Sequence, residues 1–282
     1  MRMRISGVTR AADGFGPHDH VCWAYDEGAD FRGRAAEFLA DGVAQGLRTS
    51  LIAPGDPEQL RAGLRRSGVL ADALRDGSLT VQSVEGVYGA EDVVDPETQA
   101  GVYAAATGAA LADGFRGYRI VAEATALVRT PEQLAQFTRY EHRVDRLMAE
   151  RPFSAMCAYH RPSLGAEAVA LLASLHPASS PGTSPFRLHT ASDGTLTLSG
   201  ELDHLTARTF PLALERAEPA GQSGELVIDG TGLEFVDHRN LYALADLAAR
   251  EELTVVLRTA WPGARRLVEL LGIEGVTVER VA

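Results

Sequence analysis

The stretch "HDHVCWAYD", residues 18–26, decides how this chain folds. Two histidines and one of the chain's two cysteines recur there at every second position. Residues i, i+2 and i+4 of an extended strand share a face. His18, His20 and Cys22 are therefore expected on one face, with Val21, Trp23 and Tyr25 on the other. Such a strand suits a metal site, a redox sensor, a ligand pocket, or a sheet with polar neighbours.

Outward from this strand, helical and strand signals alternate. A helix is expected over residues 29–46, where Phe31, Ala35, Phe38, Leu39 and Val43 recur at helical spacing. "RTSLIAP", "LTVQSV", "YRIVAEA" and "FSAMCAYH" read as strands. Asp56-Pro57, Asp95-Pro96 and Thr130-Pro131 open three helices, each a capping residue followed by proline at the first helical position. A last helix, "GAEAVALLASLH", closes the region. Strands alternating with helices imply a mostly parallel sheet covered on both faces, with ligands beyond the carboxyl ends of its strands. "CWAYD", "VAEAT" and "CAYHR" all fall at such ends.

Next comes "HPASSPGTSP", residues 176–185, with three prolines and three serines. It reads as a boundary, giving units 1–178 and 186–282 joined by a Pro/Ser linker over 179–185. The second unit opens with "FRLHTAS" and "TLTLSGELD", separated by Asp193-Gly194, a hairpin signal. A helix over about 206–217 follows, then the strand "ELVID", the turn "GTGLEFVDHRN", the helix "LYALADLAARE", the strand "LTVVLRT", a further helix and a last strand. This is a small α/β domain.

The 282 residues carry a formal net charge of −11, and the chain contains no lysine. That absence excludes a phosphate loop of the Walker type and Schiff-base chemistry, both of which need a lysine. Acidity argues against a phosphate-neutralising surface, so no nucleic-acid partner is expected. No apolar run reaches the roughly 20 residues of a membrane span, and the N-terminus lacks the apolar core of a secretory signal. A cytoplasmic protein with reduced thiols, without a membrane partner, is expected.

Residues 186–282 resemble the STAS family of anti-sigma factor antagonists and sulfate transporters. The resemblance rests on "LSGELD", "LVIDGTGLEFVDHRNLYAL" and "RRLVELLGI". Where the family carries Asp-Ser-Ser-Gly, with a regulatory phosphoserine at the second serine, this chain reads Asp237, His238, Arg239 and Asn240. Arg239 has no hydroxyl to phosphorylate and carries a fixed positive charge. The resemblance implies that these four residues dock an anti-sigma factor or another kinase-fold protein without the serine switch. Asp237 also reads as the cap of the helix that follows.

Residues 18–177 look like the MEDS sensory domain, named for methanogen and methylotroph regulators. The motifs are "HVCWAYD", "GSLTVQSVEGVYG", "YRIVAEATALV", "TRYEHRVDRLM", "MCAYHRPSL" and "LLASLHP". The family often carries Gly-Glu-x-x-Trp where residues 122–127 of this chain lack the aromatic. The resemblance implies a three-layer fold related to phosphate-loop ATPases but without their loop, and an unidentified small-molecule ligand. It places His20, Tyr140 and Glu141 at the ligand site. Glu123, in an otherwise apolar strand, needs a partner, with His20 or Arg119 as candidates. Tyr25 and Tyr159 supply aromatic walls.

A metal on His18, His20 and Cys22, completed by Cys157 or His160, is the competing reading, together with haem or redox use of the Cys22 and Cys157 thiols, which would make the chain a metal- or haem-dependent sensor or enzyme. Cys22 reads first as a small apolar filler. No catalytic residue, metal or cofactor is assigned. The whole is expected to be a non-enzymatic signalling protein, in which a ligand or a homodimer contact at the first domain controls the STAS domain.

Overall fold

The computed structural model describes residues 4–89, 93–191, 193–219 and 224–281. The first unit runs β1 (Gly7–Val8), β2 (His20–Tyr25), α1 (Gly28–Ala44), β3 (Arg48–Ala53), α2 (Pro57–Leu64), α3 (Gly68–Asp76), β4 (Leu79–Ser83), α4 (Val84–Tyr88), α5 (Pro96–Ala112), β5 (Tyr118–Glu123), α6 (Pro131–Glu150), β6 (Phe153–His160), α7 (Arg161–Leu164), α8 (Ala166–Ser174) and β7 (Ala178–Ser179). Its seven strands lie in the order β1-β7-β2-β6-β5-β3-β4, and every pairing among them is parallel.

The expected caps form. Asp56 accepts from Glu58 N, Asp95 from Thr98 N, and Thr130 from Gln133 N in a complete capping box. Each takes up a donor that the first helical turn leaves unpaired. One face of the sheet packs Ile120, Ala122, Phe153, Cys157 and Tyr159 against α5, α6 and α8. The other packs Val21, Trp23, Val121, Met156 and Ala158 against α1, α2 and α3.

The second unit contains β8 (Phe186–Thr190), β9 (Leu196–Leu202), α9 (Thr209–Arg216), β10 (Glu225–Val236), α10 (His238–Arg250), β11 (Thr254–Thr259), α11 (Gly263–Leu271) and β12 (Val276–Arg280). Its sheet is ordered β12-β11-β10-β9-β8, with β8 and β9 antiparallel as the Asp193-Gly194 signal implies. One expectation fails. "GTGLEFV" is not a turn but the second half of β10, which stays paired to β9 through register shifts at Asp229/Gly232 and Leu233/Phe235. The glycines there allow bulges rather than ending the strand. Gly200 has φ +89°, and a Cβ on it would overlap the Pro185 carbonyl oxygen, so the close approach of β9 to β8 requires glycine.

The two units share hydrophobic material. Leu171 and Leu175, at the end of the first unit, belong to the core of the second, and Leu134 of α6 packs against both cores. The stretch read as a linker is anchored at three of its residues, while Pro181, Gly182 and Pro185 are exposed. Ser179, Ser180 and Thr183 are buried, Ser180 N donates to Cys22 O at 2.9 Å, and Ala24 N donates to Ser180 Oγ at 3.0 Å. Ser180 serves β2, while Ser179 Oγ accepts from Arg187 and Ser184 Oγ donates to Phe186 O, which the composition does not reveal.

Candidate functional site

At the amino end of β2, His20 points toward α6 and the strand beside it. Its Nδ1 lies 3.2 Å from Asp145 Oδ1, and its Nε2 lies 3.3 Å from Glu141 Oε2 and 3.5 Å from Cys157 Sγ. Glu141 and Asp145 are four residues apart on α6, hence on one helical face. Cys157 lies on β6, which pairs with β2. His176, just after α8, completes the cluster, its ring 4.0 Å from that of His20 and its Nε2 3.6 Å from Glu141 Oε2. Tyr159 donates to the other Glu141 oxygen, and the Cys157 thiol donates to Glu141 Oε2 at 3.6 Å. All of these side chains are buried.

Burial works against the charged form of each group, and the neighbours decide the result. For His20, burial alone would remove the proton, but hydrogen bonds to Asp145 and Glu141 hold its pKa above the usual value. Burial would also raise Glu141, yet His176, His20 and Tyr159 keep it below the ordinary range. Asp145 is held well below its range by Arg4 and His20, against the effect of burial. His176 is pushed down to about 4 by burial and by His20. Both thiols are raised by burial and by Glu141, the reverse of an activated redox cysteine.

Asp145 has a second task. It pairs with Arg4, and its Oδ2 accepts from Thr190 N at 2.9 Å, while Arg4 Nη1 donates to Thr190 O at 2.6 Å. Thr190 ends β8, so the carboxylate that orients His20 also clasps the first strand of the second unit. Further along α6, Arg139 and Arg143 pair with Glu218 at 3.2 and 2.9 Å, and Arg146 donates to Ala217 O.

Two more buried histidines, His142 and His189, stand near this junction. Burial lowers His142 to about 3 and His189 to about 4, and both are neutral in the fold. Asp145 favours their charged forms, while Arg146 opposes that of His142 and Arg4 and Arg187 that of His189. A folded pKa below the unfolded value of about 6.5 means that the unfolded chain binds more protons in that window. Their contribution is present above pH 6.5 and lost as pH falls toward 4 and then 3. His20, with its raised pKa, acts in the opposite direction. Urea midpoints should therefore fall between pH 6.5 and 4, and His142→Leu/His189→Leu should flatten that slope. An unchanged slope in the double variant would refute this account.

The six ligand candidates do not share one pocket. His20, Glu141 and Tyr159 converge on the α6 side of the sheet, where Tyr140 packs with Phe137, ring centroids 5.0 Å apart. Tyr25 and Glu123 lie on the opposite side at the strand ends, with Tyr25 Oη donating to Glu123 Oε1 at 2.9 Å and Thr125 donating to the same oxygen. Odd and even positions of β2 face opposite ways, which separates Tyr25 from His20. Burial raises the Glu123 pKa. Neither expected partner reaches Glu123. Arg119 is turned toward α1, bonding Asp41 at 3.0 Å, Phe38 O, Phe15 O, Gly16 O and Ser154.

The proposed metal set also changes membership. His18 precedes the strand and bonds Met148 O, while His160 bonds Ser163 and Asp26 O. Among the described residues, the group with metal-ligand geometry is His20, Glu141, Cys157 and His176, whose ligand atoms lie within 4.8 Å of one another. Glu141 was readable as a site residue. His176 was missed because it stands at the head of a proline-rich stretch, where local composition suggests exposure.

In the second unit Asp237 caps α10 by accepting from Asn240 N at 3.0 Å. His238 and Arg239 are exposed. Asn240 is buried, and its amide donates to Asp203 O at 3.0 Å and to Thr206 Oγ1 at 3.3 Å. It ties the first turn of α10 to the Asp203–Thr206 turn that follows β9, so it supports the surface and does not form part of it. Phe235, Trp261, Leu267 and Leu270 line a groove of about 410 Å³ beside Asp237 and His238.

A family model described as "MEthanogen/methylotroph, DcmR Sensory domain" (MEDS) matches residues 19–177, and one described as "Mlab, STAS domain" matches residues 186–279. No curated protein matches the chain. Neither matched domain is of an enzyme family, and the pairing of a sensory with a STAS domain is that of a regulatory protein. No helix among the described residues is long and apolar enough to cross a membrane. The all-parallel first sheet, the hairpin-led second sheet and the two matches, in the order of the motifs, agree: the chain belongs to the MEDS family and carries a STAS domain behind its sensory domain.

Proposed function

We propose that this chain is a ligand-responsive antagonist whose STAS domain docks an anti-sigma factor or another kinase-fold protein without serine phosphorylation. The observation that carries the reading is the shared carboxylate Asp145, bonded both to His20 in the sensory core and to Thr190 N in the STAS domain. The input site is the cleft of about 320 Å³ at the carboxyl ends of the central strands, lined by Trp23, Tyr25, Asp26, Arg34, Arg161 and Ser180. Tyr25 and its partner Glu123 lie at this end of the sheet and His20 at the other end of β2. A small molecule that binds one setting of β2 better than another shifts the balance between settings by that difference in affinity. The change reaches α6 through His20 and Asp145.

The output surface is the groove beside α10, lined by Asp237 and His238 with Phe235 and Leu270 as apolar anchors, together with the exposed Arg239 that follows His238 on α10. An arginine at the former phosphoserine position favours an acidic or carbonyl-rich contact, where a phosphoserine would repel one. The test is calorimetric titration of the full chain against the purified kinase-fold anti-sigma proteins encoded in the same genome. One should bind at about micromolar Kd or tighter, and Arg239→Glu and Leu270→Asp should each weaken it about tenfold or more. Absence of binding to every candidate, or indifference to both substitutions, would refute the reading.

A further inference from the structure

We propose that His20, Glu141, Cys157 and His176 form a closed, four-ligand site for a divalent cation of the zinc class. Tetrahedral Zn²⁺ with bonds of about 2.0–2.3 Å sets neighbouring N, O and S ligand atoms about 3.3–3.6 Å apart. The separations here are 3.3 Å for His20 Nε2–Glu141 Oε2, 3.5 Å for His20 Nε2–Cys157 Sγ, 3.6 Å for Cys157 Sγ–Glu141 Oε2 and 3.6 Å for His176 Nε2–Glu141 Oε2. Two imidazoles, a thiolate and a carboxylate form a donor set that suits zinc, whereas magnesium and calcium prefer oxygen alone.

The surroundings orient each ligand. Asp145 holds His20 by Nδ1, which leaves Nε2 turned inward. The Leu172 carbonyl holds His176 by Nδ1 at 2.8 Å. Tyr159 takes one oxygen of Glu141 and leaves the other for the cluster. These are the outer contacts that metal-binding histidines and carboxylates characteristically make.

His176 is the independent observation that points to an ion. Its Nδ1 faces a carbonyl and so carries the ring proton, and its Nε2 is fully buried without a hydrogen-bond partner. That lone pair is aimed at a carboxylate oxygen 3.6 Å away, an arrangement of two electron-rich atoms that a cation bridges. The formal charges also balance. A dication that displaces the Cys157 thiol proton and the proton between His20 Nε2 and Glu141 leaves the total charge of the buried group unchanged. Four protein ligands leave no open position, so the ion is a structural or sensory centre, not a hydrolytic one. With every ligand buried, it enters as the chain folds.

The test uses the full chain, purified without chelator and also refolded in the presence of Co²⁺. The expected result is about one equivalent of zinc as purified, and for the Co²⁺ form a thiolate-to-metal charge-transfer band with intense tetrahedral d–d absorption. Cys157→Ser should abolish the charge-transfer band and weaken binding about a hundredfold, while Cys22→Ala, one strand away, should retain both. If Cys157→Ser does not fold, His176→Gln carries the comparison through loss of the tetrahedral d–d intensity. A natively folded chain that takes up neither zinc nor cobalt overturns the proposal, as does a charge-transfer band lost with Cys22 and kept without Cys157. The inference does not rest on the partner reading: a chain that holds metal but binds no kinase-fold protein retains it.

Discussion

Asp145→Asn is expected to lower the stability of the whole chain by about 3–5 kcal/mol, the range for breaking a buried ion pair on one side. The asparagine keeps the shape but leaves buried Arg4 without its counter-charge and His20 with Glu141 as its remaining carboxylate. It also turns one carboxylate oxygen into an NH2 that accepts nothing, so either the Arg4 Nη2 and His20 contacts of Oδ1 or the Arg4 Nη1 and Thr190 N contacts of Oδ2 are lost. Because those partners belong to both cores, urea unfolding should remain one transition that moves to lower denaturant. A second substitution, Arg4→Met, should recover part of the loss, and the cycle of four proteins measures the coupling directly. Two separate transitions, with the STAS one unmoved, would show that Asp145 does not join the domains.

Arg119→Met should be about as damaging, at roughly 4 kcal/mol, for a different reason. Arg119 is among the largest fully buried side chains, and its guanidinium fork satisfies the carbonyls of Phe15, Gly16 and Phe38 together with Asp41. Methionine fills much of the volume and restores none of these bonds. Each buried carbonyl left without a donor costs about 1–3 kcal/mol, and Asp41 loses its ion pair. Gly42 is part of the same fitting, since a Cβ there would stand 2.6 Å from Arg119 Cδ. Stability within about 1 kcal/mol of wild type, by urea denaturation, would refute the assignment.

Where local chemistry determined structure, the sequence was legible. Asp-Pro and Thr-Pro pairs marked three helix starts correctly, because a cap is satisfied by groups within four residues of itself. "GTGLEFV" was misread, since its place in β10 depends on pairing with β9, some thirty residues earlier. β1 and β7 are two residues each and carry no periodicity to detect. In the site, alternation along β2 placed His20 correctly and foretold its separation from Tyr25. Glu141 could equally have been a solvated helical residue, because only the packing of α6 under β2 and β6 buries it. The position of Asn240 was legible but its direction was not, since the turn after β9 that draws it inward lies elsewhere in the chain.

The anchored segment between the domains has a mechanical consequence. With Ser179, Ser180 and Thr183 buried and Leu171 and Leu175 committed to the second core, the 30.1 kDa chain diffuses as one body, not as two beads on a string. A fragment begun at Phe186, where the STAS motif starts, loses two leucines of its own core and exposes an apolar face to water. Any protein captured at Arg239 is thereby held at a fixed distance and angle from the sensory sheet. Geometry, rather than the statistics of a flexible tether, then sets what that protein can touch next.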